Sequence, residues 1–249
     1  MTPLLFIREV FMRKIFMIGD STMKYNNISS YPQCGWGQML HLYTKKDWLI
    51  EVHAENGRSS KSFINEGRFD VILNKMNEGD YLICQFGHND EKIQDETRYT
   101  TPYETYVENL KYYADEFIKK GGKVVFATSI TRHKFVDGIQ INTHMEYPDA
   151  MMKFAKENGY TCIDLNQLSI DLYNKIGEEE STKFHMIFPA NLYNKYIEGK
   201  DDHSHLMYLG AVTICDLFVR ALAKTNDPIN ECFLDLSNLE TIDFNMLKD

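Results

Sequence analysis

Five short apolar runs, at residues 14–18, 49–54, 81–86, 123–128 and 161–165, recur along the chain and each stops abruptly in polar or glycine-rich sequence. They are continuous rather than alternating, the pattern of strands buried on both faces. Each is followed by an amphipathic stretch or by a loop leading to one. That alternation predicts β-α-β units and a parallel sheet. The best-marked helix covers 102–120. Thr101-Pro102-Tyr103-Glu104 reads as a capping box with proline at the first helical position. Tyr103, Tyr106, Val107, Leu110, Tyr113, Ala114, Phe117 and Ile118 then recur at three- and four-residue spacing as an apolar stripe, and Gly121-Gly122 closes the helix. A second helix follows Pro148 and ends at Gly159, and a third spans about 209–224. Residues 132–147 read as a long polar loop and 177–201 as an irregular stretch. Loops of that length in a compact domain usually form rims or lids of sites. No repeat or linker interrupts the pattern, so a single domain over 14–249, preceded by an extension at 1–13, is expected.

Composition narrows the partners. Apolar residues make up 43% and charged residues 25% of the 249 positions, as in ordinary globular chains. The formal net charge is −9, with lysines and arginines scattered, so neither nucleic acid nor an anionic membrane surface is an expected partner. The five cysteines form no CxxC pair, which suits free buried thiols in a reducing compartment. No stretch approaches the ~18 apolar residues of a membrane span. The first residues lack the basic start and long apolar segment of a secretion signal. A cytoplasmic location is expected.

The chemistry gathers where the runs end. The first run closes in Gly19-Asp20-Ser21-Thr22, delivering a hydroxyl to the carboxyl end of a strand, where open α/β sheets bind ligands. A serine there is a nucleophile if a base and an oxyanion site stand nearby; otherwise it is a helix cap. Asp201-Asp202-His203-Ser204-His205 offers the base. Asp202 and His205, three apart, would lie on one side of a single turn, the carboxylate holding one ring nitrogen while the other faces Ser21. Asp201 is the nearest competitor for Asp202. Four ligands crowded onto five residues cannot readily surround an ion, so no metal is assigned. The second run leads into Asn56-Gly57-Arg58-Ser59-Ser60 and the third into Gly87-His88-Asn89-Asp90. The N–H groups of Ser21 and Gly57 and the carboxamide of Asn89 make three candidate oxyanion donors. No Gly-x-Ser-x-Gly elbow is present, which sets aside the α/β-hydrolase reading.

These four blocks, in this order and spacing, resemble the SGNH (GDSL-type) hydrolases, and more narrowly their rhamnogalacturonan acetylesterase-like branch, over residues 14–222. The resemblance implies a three-layer α/β/α sandwich around a five-stranded parallel sheet of flavodoxin-like order. It implies Ser21 as nucleophile, His205 as general base, Asp202 as its orienting carboxylate, and an oxyanion hole of Ser21, Gly57 and Asn89, with no cofactor. Leu206-Met207-Tyr208 depart from the smaller residues usual in relatives, so the family's acyl pocket is not carried over. The expected activity is hydrolysis of an ester on a small molecule or oligosaccharide, an O-acetyl group on plant-cell-wall saccharides first. A general short-chain esterase or thioesterase is the enzymatic alternative, and a flavodoxin-like or saccharide-binding module the non-catalytic one. Arg58, Trp36 and His203 are candidate substrate contacts. Trp36 is placed either on a sugar face or beneath the Ser21 loop, and Arg58 either on substrate or free in solvent. His203 is expected to shape the site, and His88 and Asp90 to brace the Asn89 loop.

Overall fold

All five apolar runs form one parallel sheet. In the computed structural model, which describes residues 12–239, they are β1 (Arg13–Gly19), β2 (Trp48–Val52), β3 (Tyr81–Gln85), β4 (Lys123–Ala127) and β7 (Thr161–Ile163). A small hairpin of β5 (Phe135–Val136) and β6 (Ile139–Gln140) intervenes before β7. Most of the expected 1–13 extension lies outside the described residues. The sheet order is β2-β1-β3-β4-β7, the flavodoxin-like order. The chain leaves β1 for one neighbour and returns to pair on its other side, so the carboxyl end of β1 is the topological switch point. Ser21 follows directly.

Side chains alternate across the strands and split the core in two. Ile15, Met17, Ile83 and Val125 face one side, while Phe16, Ile18, Leu82 and Phe126 face the other. The second face is covered by α1 (Ser60–Asn65), α2 (Arg68–Leu73), α3 (Val107–Lys119) and α4 (Tyr147–Asn158). A 3-10 helix at Trp36–Leu42, the start of α5 (Leu165–Ile176) and α7 (Tyr208–Leu222) cover the first. Helices on both sides complete the three layers.

The structure departs from the expected pattern in three places. Pro102–Tyr106 is a π-helical turn, and α3 begins only at Val107. Its wider turn moves the cap partner one residue on: Thr105 N–H donates to the Thr101 hydroxyl, and Thr101 N–H to the Thr105 hydroxyl. The 132–147 loop carries the β5–β6 hairpin. The irregular stretch holds α6 (Glu178–Thr182) and β8 (His185–Phe188), and β8 pairs antiparallel with β9 (Lys200–Leu206). Beyond α7 the chain packs back: Ile229, Cys232 and Phe233 are buried, and Leu234 N–H donates to Tyr43 O at 2.8 Å. All five cysteines are free thiols. Among the described residues no helix is long and apolar enough to cross a membrane.

Candidate active site

Ser21 stands at the mouth of the sheet on a turn held from beneath. Asp20 is fully buried; its carboxylate accepts the N–H and hydroxyl of Thr22 at 2.9 and 2.8 Å, and its carbonyl accepts Lys24 N–H at 3.2 Å. With Asp20 turned inward, the neighbouring Ser21 side chain faces the opening. Its hydroxyl donates to His205 Nε2 at 2.9 Å, and His205 Nδ1–H donates to Asp202 Oδ2 at 2.8 Å. The three side chains form one hydrogen-bonded line.

Asp202 and His205 reach that geometry without the single turn expected of them. Both lie on β9, where residues three apart would ordinarily face opposite ways. The ladder slips here: Leu206 pairs with His185 but Asp202 pairs with Met186, so residues 203–205 bulge outward. Inside the bulge, Asp202 Oδ1 accepts the N–H groups of Ser204 and His205 at 3.0 and 3.1 Å. This closes a loop that brings imidazole and carboxylate together. Burial pushes the Asp202 carboxyl up, but the hydrogen bond and charge of His205 and the two N–H donors outweigh it. They hold it well below the usual carboxylate range.

Two backbone N–H groups stand just beyond the carboxyl ends of the neighbouring strands β1 and β2. Neither Ser21 N–H nor Gly57 N–H has a hydrogen-bond partner among the described residues. Gly57 has φ +73°, a left-handed conformation that glycine adopts without strain. Asn89 is buried, and its carboxamide donates one hydrogen to Arg58 O at 3.0 Å, leaving the other. Asp90 braces this loop to the next. Its carboxylate accepts the N–H and hydroxyl of Ser60 and the hydroxyl of Thr100, and its carbonyl accepts the Tyr147 hydroxyl at 2.9 Å. Burial raises the Asp90 carboxyl to about 7 against those donors. Gly87, just ahead, has φ +148° and no room for a Cβ, which would meet Ser129 Oγ at 2.4 Å.

The other candidates divide. His88 lies beside Asp20, Nδ1 to Oδ2 at 3.2 Å, under the nucleophile turn rather than at its mouth. His203 points away from Asp202: its Nε2 meets Asp201 at 2.9 Å and its Nδ1 meets His133 Nδ1 at 3.2 Å. Asp201 therefore belongs to His203, and the four Asp and His residues of β9 sort into two pairs. The Arg58 guanidinium is ion-paired to Glu66 and donates to Asn56 O at 2.8 Å; it is the Arg58 carbonyl that serves the site, by orienting Asn89. Trp36 is not a sugar platform. It is fully buried, packs on Phe218 and donates Nε1–H to Gln85 Oε1 at 2.9 Å, beneath the Ser21 loop.

Two supporting residues escape a reading of motifs. Gln85 closes β3 and ties Trp36 to Thr128 O across the sheet end. Arg132 opens the long polar loop, pairs with Glu91 and donates to His88 O at 3.2 Å. A polar glutamine ending an apolar run was the available signal for the first; the length of its loop was the signal for the second.

No protein-family model matches the sequence. A rhamnogalacturonan acetylesterase of Bacillus subtilis is 36% identical over 219 residues, 88% of this chain and 93% of the relative. A rhamnogalacturonan acetylesterase of Emericella nidulans is 24% identical over 255 residues, 93% of each chain. Among solved structures, the Bacillus subtilis protein YxiM superposes with a TM-score of 0.72 at 28% identity, covering 85% of this chain and 56% of that one. With the sheet order, the four strand-end blocks and a relative matched along nearly its whole length, the chain belongs to the SGNH (GDSL-type) hydrolases, in their rhamnogalacturonan acetylesterase-like branch.

Proposed function

We propose that this esterase removes O-acetyl groups from saccharides through a Ser21–His205–Asp202 triad and a covalent acetyl-enzyme. The observation that carries the reading is the unbroken hydrogen-bonded line from Ser21 Oγ to Asp202 Oδ2. The saccharide follows from the names of its relatives, two of which are rhamnogalacturonan acetylesterases.

Ser21 Oγ attacks the acetyl carbonyl as its proton passes to His205 Nε2, and a tetrahedral oxyanion forms. Ser21 N–H, Gly57 N–H and the free Asn89 hydrogen receive that charge; such donors each contribute about 3–4 kcal/mol. Collapse breaks the bond to the sugar oxygen, which takes the proton from His205 and leaves as the free hydroxyl. Water then enters and attacks the acetyl carbonyl as its proton passes to His205, and His205 returns that proton to Ser21 Oγ as the acyl bond breaks and acetate leaves. Asp202 keeps the ring in the required tautomer and stabilises the imidazolium, remaining ionised throughout.

The test compares acetate release from an acetylated rhamnogalacturonan fragment, and hydrolysis of p-nitrophenyl acetate, by wild type and Ser21→Ala. The expected outcome is release by wild type on both substrates and none above background by the variant. Activity retained in Ser21→Ala overturns the mechanism. Turnover of p-nitrophenyl acetate with no release from any acetylated saccharide overturns the substrate class.

A further inference from the structure

We propose that the cleft between the Ser21 loop and the start of α7 is a subsite for an uncharged pyranose ring of the substrate. This inference rests on the saccharide reading above and specifies where the sugar sits. The cleft has a volume of about 310 Å³, at the small end of the usual range for ligand sites, and is walled by residues 26–39 and by Tyr208. Both of its walls are continuous in the chain with the segments that carry the reacting groups. Asn26 follows Ser21 by one short loop, and Tyr208 opens α7 just after His205 and Leu206. Cys34 N–H donates to Leu206 O at 2.8 Å and ties the two walls together.

Three features of the wall point to a neutral sugar. First, two aromatic side chains line it while largely exposed, Tyr31 at 57% and Tyr208 at 62%. Tyr31 is held by an edge contact with Tyr193 at 5.6 Å between ring centroids, whereas Tyr208 has no ring contact among the described residues. An aromatic face with a polar tip matches the C–H face and hydroxyl rim of a pyranose. Second, no Asp, Glu, Lys or Arg lines the cleft; its polar groups are carboxamides and hydroxyls. Third, two of those carboxamides are short of partners. Asn26 is nine-tenths buried, and its amide donates to Lys24 O at 3.1 Å, yet its Oδ1 has no hydrogen-bond partner among the described residues. Gln33 Nε2 is in the same state. One acceptor and one donor, both buried and unpaired, are costly to leave so, and a sugar hydroxyl can satisfy either. Terminal carboxamide torsions are broad, so both groups reach a ligand by a small rotation.

The cleft on the other flank of β9 differs in kind. Arg132, Lys134, Glu178 and His203 line it together with His133 and Phe135, so it carries charged side chains of both signs. A neutral ring is better matched to the carboxamide side.

The subsite is tested by competition against p-nitrophenyl acetate hydrolysis, with xylotetraose as the neutral probe and tetragalacturonate as the charged one. Wild-type hydrolysis of p-nitrophenyl acetate is the control: its absence defeats the esterase reading, apart from the subsite. With activity present, xylotetraose should inhibit competitively. Its Ki should rise at least tenfold in Tyr208→Ala and several-fold in Gln33→Met, and Tyr208→Phe should restore most of it. An unchanged melting temperature in Tyr208→Ala, expected for an exposed side chain, separates binding from folding. No inhibition by xylotetraose overturns the proposal, as does a Ki unaffected by Tyr208→Ala. Stronger inhibition by tetragalacturonate that is lost in Lys134→Ala also overturns it, placing the sugar in the charged cleft.

Discussion

Two Asp–His pairs lie within reach of Ser21, and they are built for opposite ends. Asp202–His205 sits at the mouth, partly exposed, with Nδ1 on the carboxylate and Nε2 on the serine hydroxyl. Asp20–His88 sits beneath it, with Asp20 fully buried and His88 nearly so, and neither His88 nitrogen aligned with any acceptor as a hydrogen bond. The residue types and the separation between the groups are nearly the same. What differs is the second ring nitrogen: one faces a nucleophile across an opening, and the other is enclosed. A carboxylate–imidazole pair becomes a proton-transfer device only when its far nitrogen has both a hydroxyl to accept from and a path for substrate. The third pair, Asp201–His203, makes the point again. It is the most exposed, yet its far nitrogen is taken by His133.

Substitutions that break the pairs one at a time should grade accordingly. His205→Ala removes the base and should lower kcat for p-nitrophenyl acetate by about 10⁶-fold, as loss of a triad histidine can. A loss under a hundredfold would move the base elsewhere. Asp202→Asn keeps the shape but disfavours the required tautomer, and a loss of about 10⁴-fold is expected. The pH profile sharpens this. Asp202 is held well below the usual carboxylate range, so it stays ionised as pH falls. Protonation of Asp202 then adds nothing to the acid limb. The acid limb of log kcat/KM should therefore rise with slope one; a slope of two would show a second protonation disabling the site. Asn89→Ala deletes one of the proposed oxyanion donors and leaves both pairs intact. It should lower kcat by about 10²–10³-fold with little change in KM.

Much of this arrangement was legible in the sequence, and the exceptions have physical causes. The five strands announce themselves because a doubly buried strand needs an unbroken apolar run. The loops of Ser21, Gly57 and Asn89 stand where they are expected, because a parallel sheet gathers the carboxyl ends of its strands on one edge. β9 was not legible as a strand. Lys-Asp-Asp-His-Ser-His has poor strand propensity, and its ladder depends on β8, itself hidden in a stretch that read as irregular. Asp202 and His205 were correctly paired, for the wrong local reason: a bulge supplies the proximity credited to a turn. Trp36 was ambiguous because the sequence does not say which face of its 3-10 helix meets the sheet. Gly35 and Gly37 on either side were the missed signal. A Cβ at Gly35 would stand 2.1 Å from Lys24 O, so this segment must press against the Ser21 loop. The Tyr208 cleft carried no motif at all, being assembled from two segments far apart in the chain.

The smallest expected effect concerns the enclosed pair, and its signature is stability rather than rate. Burial pushes the Asp20 carboxyl up, but the charge of His88 close by and the hydrogen bonds from Thr22 pull it down to about 2, from an ordinary 3.8. A depressed carboxyl stabilises the fold above its unfolded-state value, and that contribution is lost as pH falls through about 2. At 1.36 kcal/mol per unit, the shift is worth about 2 kcal/mol at neutral pH. Asp20→Asn should therefore lower the free energy of unfolding in urea by about 2 kcal/mol at pH 7. At pH 3, between the two values, the gap should shrink to roughly half. If the gap is the same at both pH values, the enclosed pair acts through packing and its charge is incidental. The contrast with Asp202–His205 would then rest on accessibility alone.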